Sequence, residues 1–329
     1  MALRTRFTEA MGVRHPIVCA PMALVTGGRL AAAVSRAGAL GFVGGAYAGT
    51  LGNEPDLRQE LALAAGERVG VGFITWALEK MPEALDVALE FSPPYVFLSF
   101  GDPRPFAGRI QAGGAALFSQ VQSMRQVDQA IDAGAVAIVA QGTEGGGHGA
   151  ARSTMPFVPE VADRLAARAP QTVLLAAGGI ADGRGLAAAL MLGADAAVVG
   201  TRFWAAAEAL TPHAVTDRAI GRDGDSTVRT KAIDPLRGVA WPDEYSFRIL
   251  KNKVTDEWAH READARAAFG SLSHAFADAR RTFDFDVLPV VAGEGLGLVH
   301  DRPPAAAIVE TMVSQAEMLL RRGPSLVRD

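Results

Sequence analysis

Eight short apolar runs, separated by Ala-rich stretches of helical character, constrain this chain more than any other feature. The runs lie near Ile17–Ala20, Leu40–Gly44, Val69–Ile74, Tyr95–Leu98, Ala115–Gln120, Val136–Gln141, Val173–Ala177 and Ala196–Gly200. None shows the polar alternation of a half-exposed strand, as expected where helices cover one face and a core fills the other. Helices are expected at Gly28–Arg36, Glu54–Ala65, Gln126–Ala133 and Gly183–Leu192. Alternation of this kind predicts βαβ units and a parallel sheet. Eight such units fit a (β/α)8 TIM barrel, with a doubly wound sheet as the alternative.

The rhythm stops after Phe203. Residues from about 208 to 285 carry many charges and no evident strand. Asp256–Phe269 and Ser271–Phe283 look like amphipathic helices, with Ser271 as an N-cap. The stretch Pro304–Arg322 reads as one long helix with an apolar stripe through Ile308, Met312, Met318 and Leu319. The expected organisation is a barrel formed by 1–207 and 286–329, with 208–285 inserted as an α-helical lid domain.

Composition excludes several classes. One cysteine in 329 residues forbids an internal disulfide framework or a multi-cysteine zinc site. A net charge of −4 gives no sign of nucleic-acid binding. No leader-like or membrane-spanning run is evident, so a soluble cytoplasmic protein is expected, with a homo-oligomer left open. The histidines form no HxH or HExxH spacing, and no metal is expected.

The active site of such a barrel lies at the C-terminal ends of its strands. The first strand ends in Ala20-Pro21-Met22, where proline turns the chain. The last two end in Ala177-Gly178-Gly179 and Gly200-Thr201, and glycines there let amides approach an anion. Together they read as a phosphate cradle; tight turns are the plainer explanation. The sixth run ends in Gly142-Thr143-Glu144-Gly145-Gly146-Gly147-His148-Gly149, with five glycines in eight residues. Such a segment is costly to order, which points to a loop, including Gly146, lying flat against a planar ligand. His148 is the candidate general base. Glu144 is expected to be solvated, Cys19 a buried inert thiol, and His15, His213, His260, His274 and His300 surface residues. Trp241, Tyr245, Phe247 and Trp76 either line an apolar pocket or pack the lid onto the barrel.

These motifs resemble the nitronate monooxygenase family, FMN-dependent barrels with a helical insertion. The likeness rests on APM at Ala20–Met22, AGALGFVGG at Ala37–Gly45 and AQGTEGGGHG at Ala140–Gly149. It extends through AAGGIADGRG at Ala176–Gly185, GADAAVVGTRF at Gly193–Phe203 and GLGLVHDRPPAAAIV at Gly295–Val309. The resemblance implies that Ala20, Pro21 and Met22 lie along the flavin ring, with Gln120 near its polar edge. Ala177, Gly178, Gly179, Gly200 and Thr201 would hold the FMN phosphate. It further implies oxidation of a small nitronate or nitroalkane with O2 to a carbonyl compound and nitrite through a flavin semiquinone, with His148 as base. Two departures concern substrate rather than fold: many relatives carry Asn where Val71-Gly72-Phe73-Ile74-Thr75 stands, and some carry Lys in place of Gln120. Two other functions fit the same barrel: an FMN-dependent NAD(P)H reductase of a quinone or enoyl thioester, and a flavin-binding scaffold without activity.

Overall fold

The computed structural model describes residues 3–49 and 54–327. Its main sheet is built from β1 (Ile17–Cys19), β2 (Gly41–Ala46), β3 (Val69–Ile74), β4 (Tyr95–Ser99), β5 (Ala116–Val121), β6 (Ala137–Gln141), β8 (Val173–Ala177) and β9 (Ala196–Val199). Neighbours run in the order β1-β9-β8-β6-β5-β4-β3-β2, and every pairing is parallel. A parallel bridge between Val18 and Leu40 joins the two ends, with Cys19 N–H donating to the Leu40 carbonyl at 2.9 Å. The sheet is therefore a barrel, and the doubly wound alternative falls away.

Side-chain size explains how the barrel fills. Phe42, Tyr95, Phe97 and Phe118 crowd the interior from β2, β4 and β5, while β6, β8 and β9 contribute Ala137, Val139, Val173, Leu175 and Ala196. Large residues on one side thus face small ones on the other, as close packing requires. Gly70 belongs to this arrangement, since a Cβ there would stand 2.3 Å from the Phe42 ring. The helix Arg6–Met11 plugs the N-terminal mouth with Phe7 and Met11. It starts at Thr5, whose side chain accepts from Thr8 N–H in a reciprocal capping box.

The helix Ala305–Arg322 packs against Gly183–Met191 and Gly28–Arg36, closing the outer ring between the last unit and the first. Its approach depends on Gly183, where a Cβ would lie 2.5 Å from the Met312 carbonyl oxygen. Among the described residues no helix is long and apolar enough to cross a membrane.

The segment 208–285 is not purely helical. It contributes β10 (Thr227–Thr230) and β11 (Ser246–Leu250), which pair antiparallel with each other and with β7 (Gly147–Gly149). The strands were hidden because each carries an arginine that sequence patterning treats as exposed. Both arginines turn inward, for a reason given below. A single helix, Glu262–Thr282, runs through the break expected at Ser271, and a separate helix, Lys253–Trp258, is capped by Asn252.

Candidate active site

The C-terminal mouth of the barrel holds a cavity of about 320 Å³. That falls within the usual range for small-molecule pockets, roughly 300–1,000 Å³. Its walls include all eleven residues singled out from the sequence: Ala20, Pro21, Met22, Gln120, Gly146, His148, Ala177, Gly178, Gly179, Gly200 and Thr201. Strand order explains the meeting, because β9 and β8 follow β1 around the ring and the loop after β6 folds over them.

The turn after β1 lies down on the sheet because its neighbours lack side chains. A Cβ at Gly72 would sit 2.3 Å from Pro21 Cβ, and one at Gly44 would sit 2.5 Å from the Met22 carbonyl oxygen. Thr26 fixes the turn by donating its hydroxyl to the Ala20 carbonyl at 2.8 Å while accepting from Met22 N–H at 3.2 Å. Gly72 thus leaves room for Pro21. Cys19, just before this turn, is fully enclosed, and burial pushes its thiol pKa up to about 12. It is an inert core residue.

At the tip of β8, Gly178 and Gly179 adopt φ of +103° and +72°. A Cβ on Gly178 would approach Thr154 Oγ1 to 2.8 Å and the Gly142 carbonyl oxygen to 2.9 Å. Among the described residues, the amides of Gly179 and Gly200 donate to no protein acceptor. Two glycine amides aimed into one mouth suit an anion such as a phosphate. Gly178→Ala is expected to cost about 1–3 kcal/mol through strain and crowding. Denaturant unfolding checks this, and an unchanged midpoint would contradict it.

The glycine loop is ordered by two arginines rather than by its own residues. Arg229 donates to the carbonyls of Thr143 (2.9 Å), Gly145 (2.7 Å) and Ser246 (2.7 Å). Arg248 donates to the Thr143 carbonyl at 3.1 Å and pairs with Glu294 at 2.7 Å. Burial, aided by the charge of Arg248, pulls the Arg229 pKa down to about 10. These inward contacts explain why β10 and β11 looked like surface sequence. Gly146 presses on the backbone of Ala292 and Gly293, where a Cβ would come within 2.6 Å.

Glu144 is not solvated. Its carboxylate accepts from Thr154 N–H at 3.0 Å and from the Thr154 hydroxyl at 2.7 Å. It therefore caps the helix Thr154–Arg168, whose own N-cap Ser153 makes no side-chain bond. His15 is not a surface residue either: it is buried, 4% exposed, and accepts from Arg14 Nε at 2.9 Å. The other four candidate surface histidines are exposed.

His148 is buried, and its ring lies between two aromatic planes. Trp241 stacks on it at 3.4 Å between centroids with 6° between planes, and Phe247 at 4.2 Å and 8°. Its Nε2 is 2.8 Å from Asp234 Oδ2. A carboxylate only accepts, so Nε2 carries the proton and Nδ1 the lone pair. Among the described residues Nδ1 meets no hydrogen-bond partner, and it keeps accessible surface where His148 lines the cavity. Burial lowers the His148 pKa, opposed by the Asp234 carboxylate and aided by Arg237 and Arg229. Burial thus favours the neutral imidazole.

A glutamine chain supports the same loop. Gln120 and Gln122 both donate to Gln141 Oε1, at 2.8 and 2.7 Å, and Gln141 Nε2 donates to the His148 carbonyl at 3.2 Å. Gln126 accepts from Gln122 N–H at 2.7 Å and donates to the Tyr245 hydroxyl at 2.9 Å, tying the insertion to the barrel. Of the four aromatic residues with two expected roles, Trp241 and Phe247 line the cavity. Tyr245 packs at the seam on Phe100, and Trp76 packs against Tyr47 and Trp241. Sequence reasoning missed Asp234, Arg229, Arg237, Arg248 and Gln141.

A buried histidine–carboxylate pair and two glycine-rich strand tips thus share one mouth of a parallel barrel, around a cavity sized for a small molecule. The nitronate monooxygenase family model matches residues 4–65 and 59–315, and the chain belongs to that family. It is 35% identical to a nitronate monooxygenase of Metarhizium robertsii, with 92% of this chain and 91% of the relative covered. Its fold is similar to FabK from Thermotoga maritima, with a TM-score of 0.82, 27% identity and coverage of 99% and 100%. It is also similar to nitroalkane oxidase from Streptomyces ansochromogenes, with a TM-score of 0.73, 25% identity and coverage of 98% and 100%.

Proposed function

We propose that this chain is an FMN-dependent monooxygenase of alkyl nitronates and nitroalkanes, with His148 as the base for the neutral substrates. The observation that carries the proposal is the His148–Asp234 contact, which leaves Nδ1 facing a cavity shared with the β8 and β9 tips. The residues present fit FMN. The free amides of Gly179 and Gly200 suit its phosphate, the Ala20–Met22 turn offers an apolar wall to its ring, and Gln120 offers a polar group to its edge. When bound, FMN supplies the electron acceptor and the reactivity toward O2.

The protein's part is proton transfer and exclusion of water. Nδ1 takes the proton from the carbon bearing the nitro group, and the C–H electron pair delocalises onto the nitro oxygens as a nitronate. The imidazolium that forms is held by Asp234 Oδ2 through Nε2–H. Trp241 and Phe247 keep the ring planar to its neighbours and close it from bulk water. In this reading the segment 208–285 is a lid domain on a barrel of 1–207 and 286–329. It supplies Asp234, Trp241 and Phe247 to a base that the barrel carries.

An absorption spectrum of the purified protein, with the released cofactor identified, tests the FMN assignment. Oxygen consumption with propionate 3-nitronate tests the reaction. Rapid anaerobic bleaching by NADH, with no nitronate turnover, would favour the reductase instead.

A further inference from the structure

Three arginines surround the glycine loop, and they are used differently. Arg229 and Arg248 donate to loop carbonyls and, for Arg248, to Glu294. Arg237 is the third, and it lines the cavity with Tyr47, His148, Trp241 and Phe247. Its side chain is only 14% exposed, yet its ion pair with Asp234 Oδ1 spans 3.8 Å, beyond hydrogen-bond reach. Among the described residues its guanidinium donates no hydrogen bond, and its nitrogens retain accessible surface. Those N–H groups therefore open onto the cavity. The guanidinium carbon lies 5.5 Å over the Phe247 ring, which holds the group in place.

A guanidinium largely removed from water and left without acceptors is costly unless a ligand supplies them. Its planar fork matches the two oxygens of a carboxylate or a nitro-type anion, whereas a spherical or neutral ligand would leave donors unused. Asp234 does not take up this capacity, because its Oδ2 is held by His148 and its Oδ1, 3.8 Å away, has no hydrogen-bond partner among the described residues. Charge agrees with this. Asp234 and Arg237 cancel while His148 is neutral, so proton transfer to His148 leaves one positive charge to face the new nitronate.

We propose that Arg237 is the receptor for a planar oxyanion on the substrate, a nitronate or carboxylate group, and gives the cavity its preference for anionic over neutral substrates. The proposal rests on the reading of the cavity as a nitronate site, and its first test does not require turnover. The flavin-loaded full chain is titrated with sodium nitrate and with sodium propionate, inert planar oxyanions, at ionic strength held constant with chloride. Binding is followed by the change in flavin absorbance. R237M is expected to weaken both anions about 10- to 100-fold, as loss of a charge-assisted bidentate contact should. Should R237M fail to fold, R237Q gives the same readout. Equal binding by the wild-type and variant proteins, or no saturable binding by the wild type, overturns the proposal.

A second arm identifies the source of the oxyanion. KM is compared for simple alkyl nitronates and for nitronates with a terminal carboxylate. A larger rise for the latter places the carboxylate on Arg237, and an equal rise places the nitronate group there; both support the receptor. Arg237-dependent nitrate binding without turnover of any nitro compound would retire the monooxygenase reading while leaving the anion site standing.

Discussion

Replacing His148 with alanine is expected to lower kcat/KM for a neutral nitroalkane by about 10²- to 10⁴-fold, the usual range for a positioned general base. With the same compound supplied as its nitronate the loss should be under about 10-fold, because the proton is already gone. The asymmetry is the informative quantity. Alanine also removes a ring stacked between Trp241 and Phe247, and that structural damage would act on both substrates equally. Equal losses would therefore sink the base assignment and leave His148 as a packing residue. The pH profile provides a second check. Burial holds the His148 pKa below its ordinary value of 6.5, so the neutral, proton-accepting form persists into mildly acidic solution. For neutral nitroalkanes kcat/KM should fall only as pH drops through that lowered value. The nitronate reaction should lack this limb, and its presence there would point to another titrating group.

The barrel was legible because its strands are buried on both faces and so appear as uninterrupted apolar runs, such as Val173–Ala177 and Tyr95–Ser99. The mouth of the barrel was legible too, since glycines at Gly178 and Gly179 and proline at Pro21 answer to backbone demands that few other residues meet. What escaped detection is non-local. Asp234 stands 86 positions after His148 in a segment of charged residues, and nothing local marks one aspartate among many as buried at 4% exposure. Arg229 and Arg248 escaped for the same reason, and with them β10 and β11. An arginine turned onto loop carbonyls has the same letter as one in solvent. Glu144 was misjudged because its partner is a helix terminus ten residues ahead, which nothing in the glycine-rich stretch itself marks.

Asp234→Asn is expected to lower kcat/KM for neutral nitroalkanes by about 10²-fold, and by as much as 10⁴-fold if the imidazole adopts the wrong tautomer. The amide is nearly isosteric, so the local shape survives while the charge is lost. Two effects then combine. The carboxylate raises the His148 pKa against burial, so its removal lowers that pKa further and weakens the base. An amide nitrogen turned toward Nε2 would also force the proton onto Nδ1, the atom that must accept. Asp234 never touches the substrate in this scheme and acts only through His148, as a positioning residue. A purely structural role would depress nitroalkane and nitronate turnover alike and leave the pH limb where it was. The dyad instead requires that the limb move to lower pH and that nitronate turnover be largely retained. The change should also bring Arg237 into play, because its 3.8 Å ion-pair partner loses its charge while the guanidinium remains. Nitrate should therefore bind D234N more tightly than the wild type, opposite in sign to the effect on proton abstraction. A variant that both abstracts protons poorly and binds nitrate poorly would mean that Asp234 holds the lid together rather than tuning two groups on either side of it.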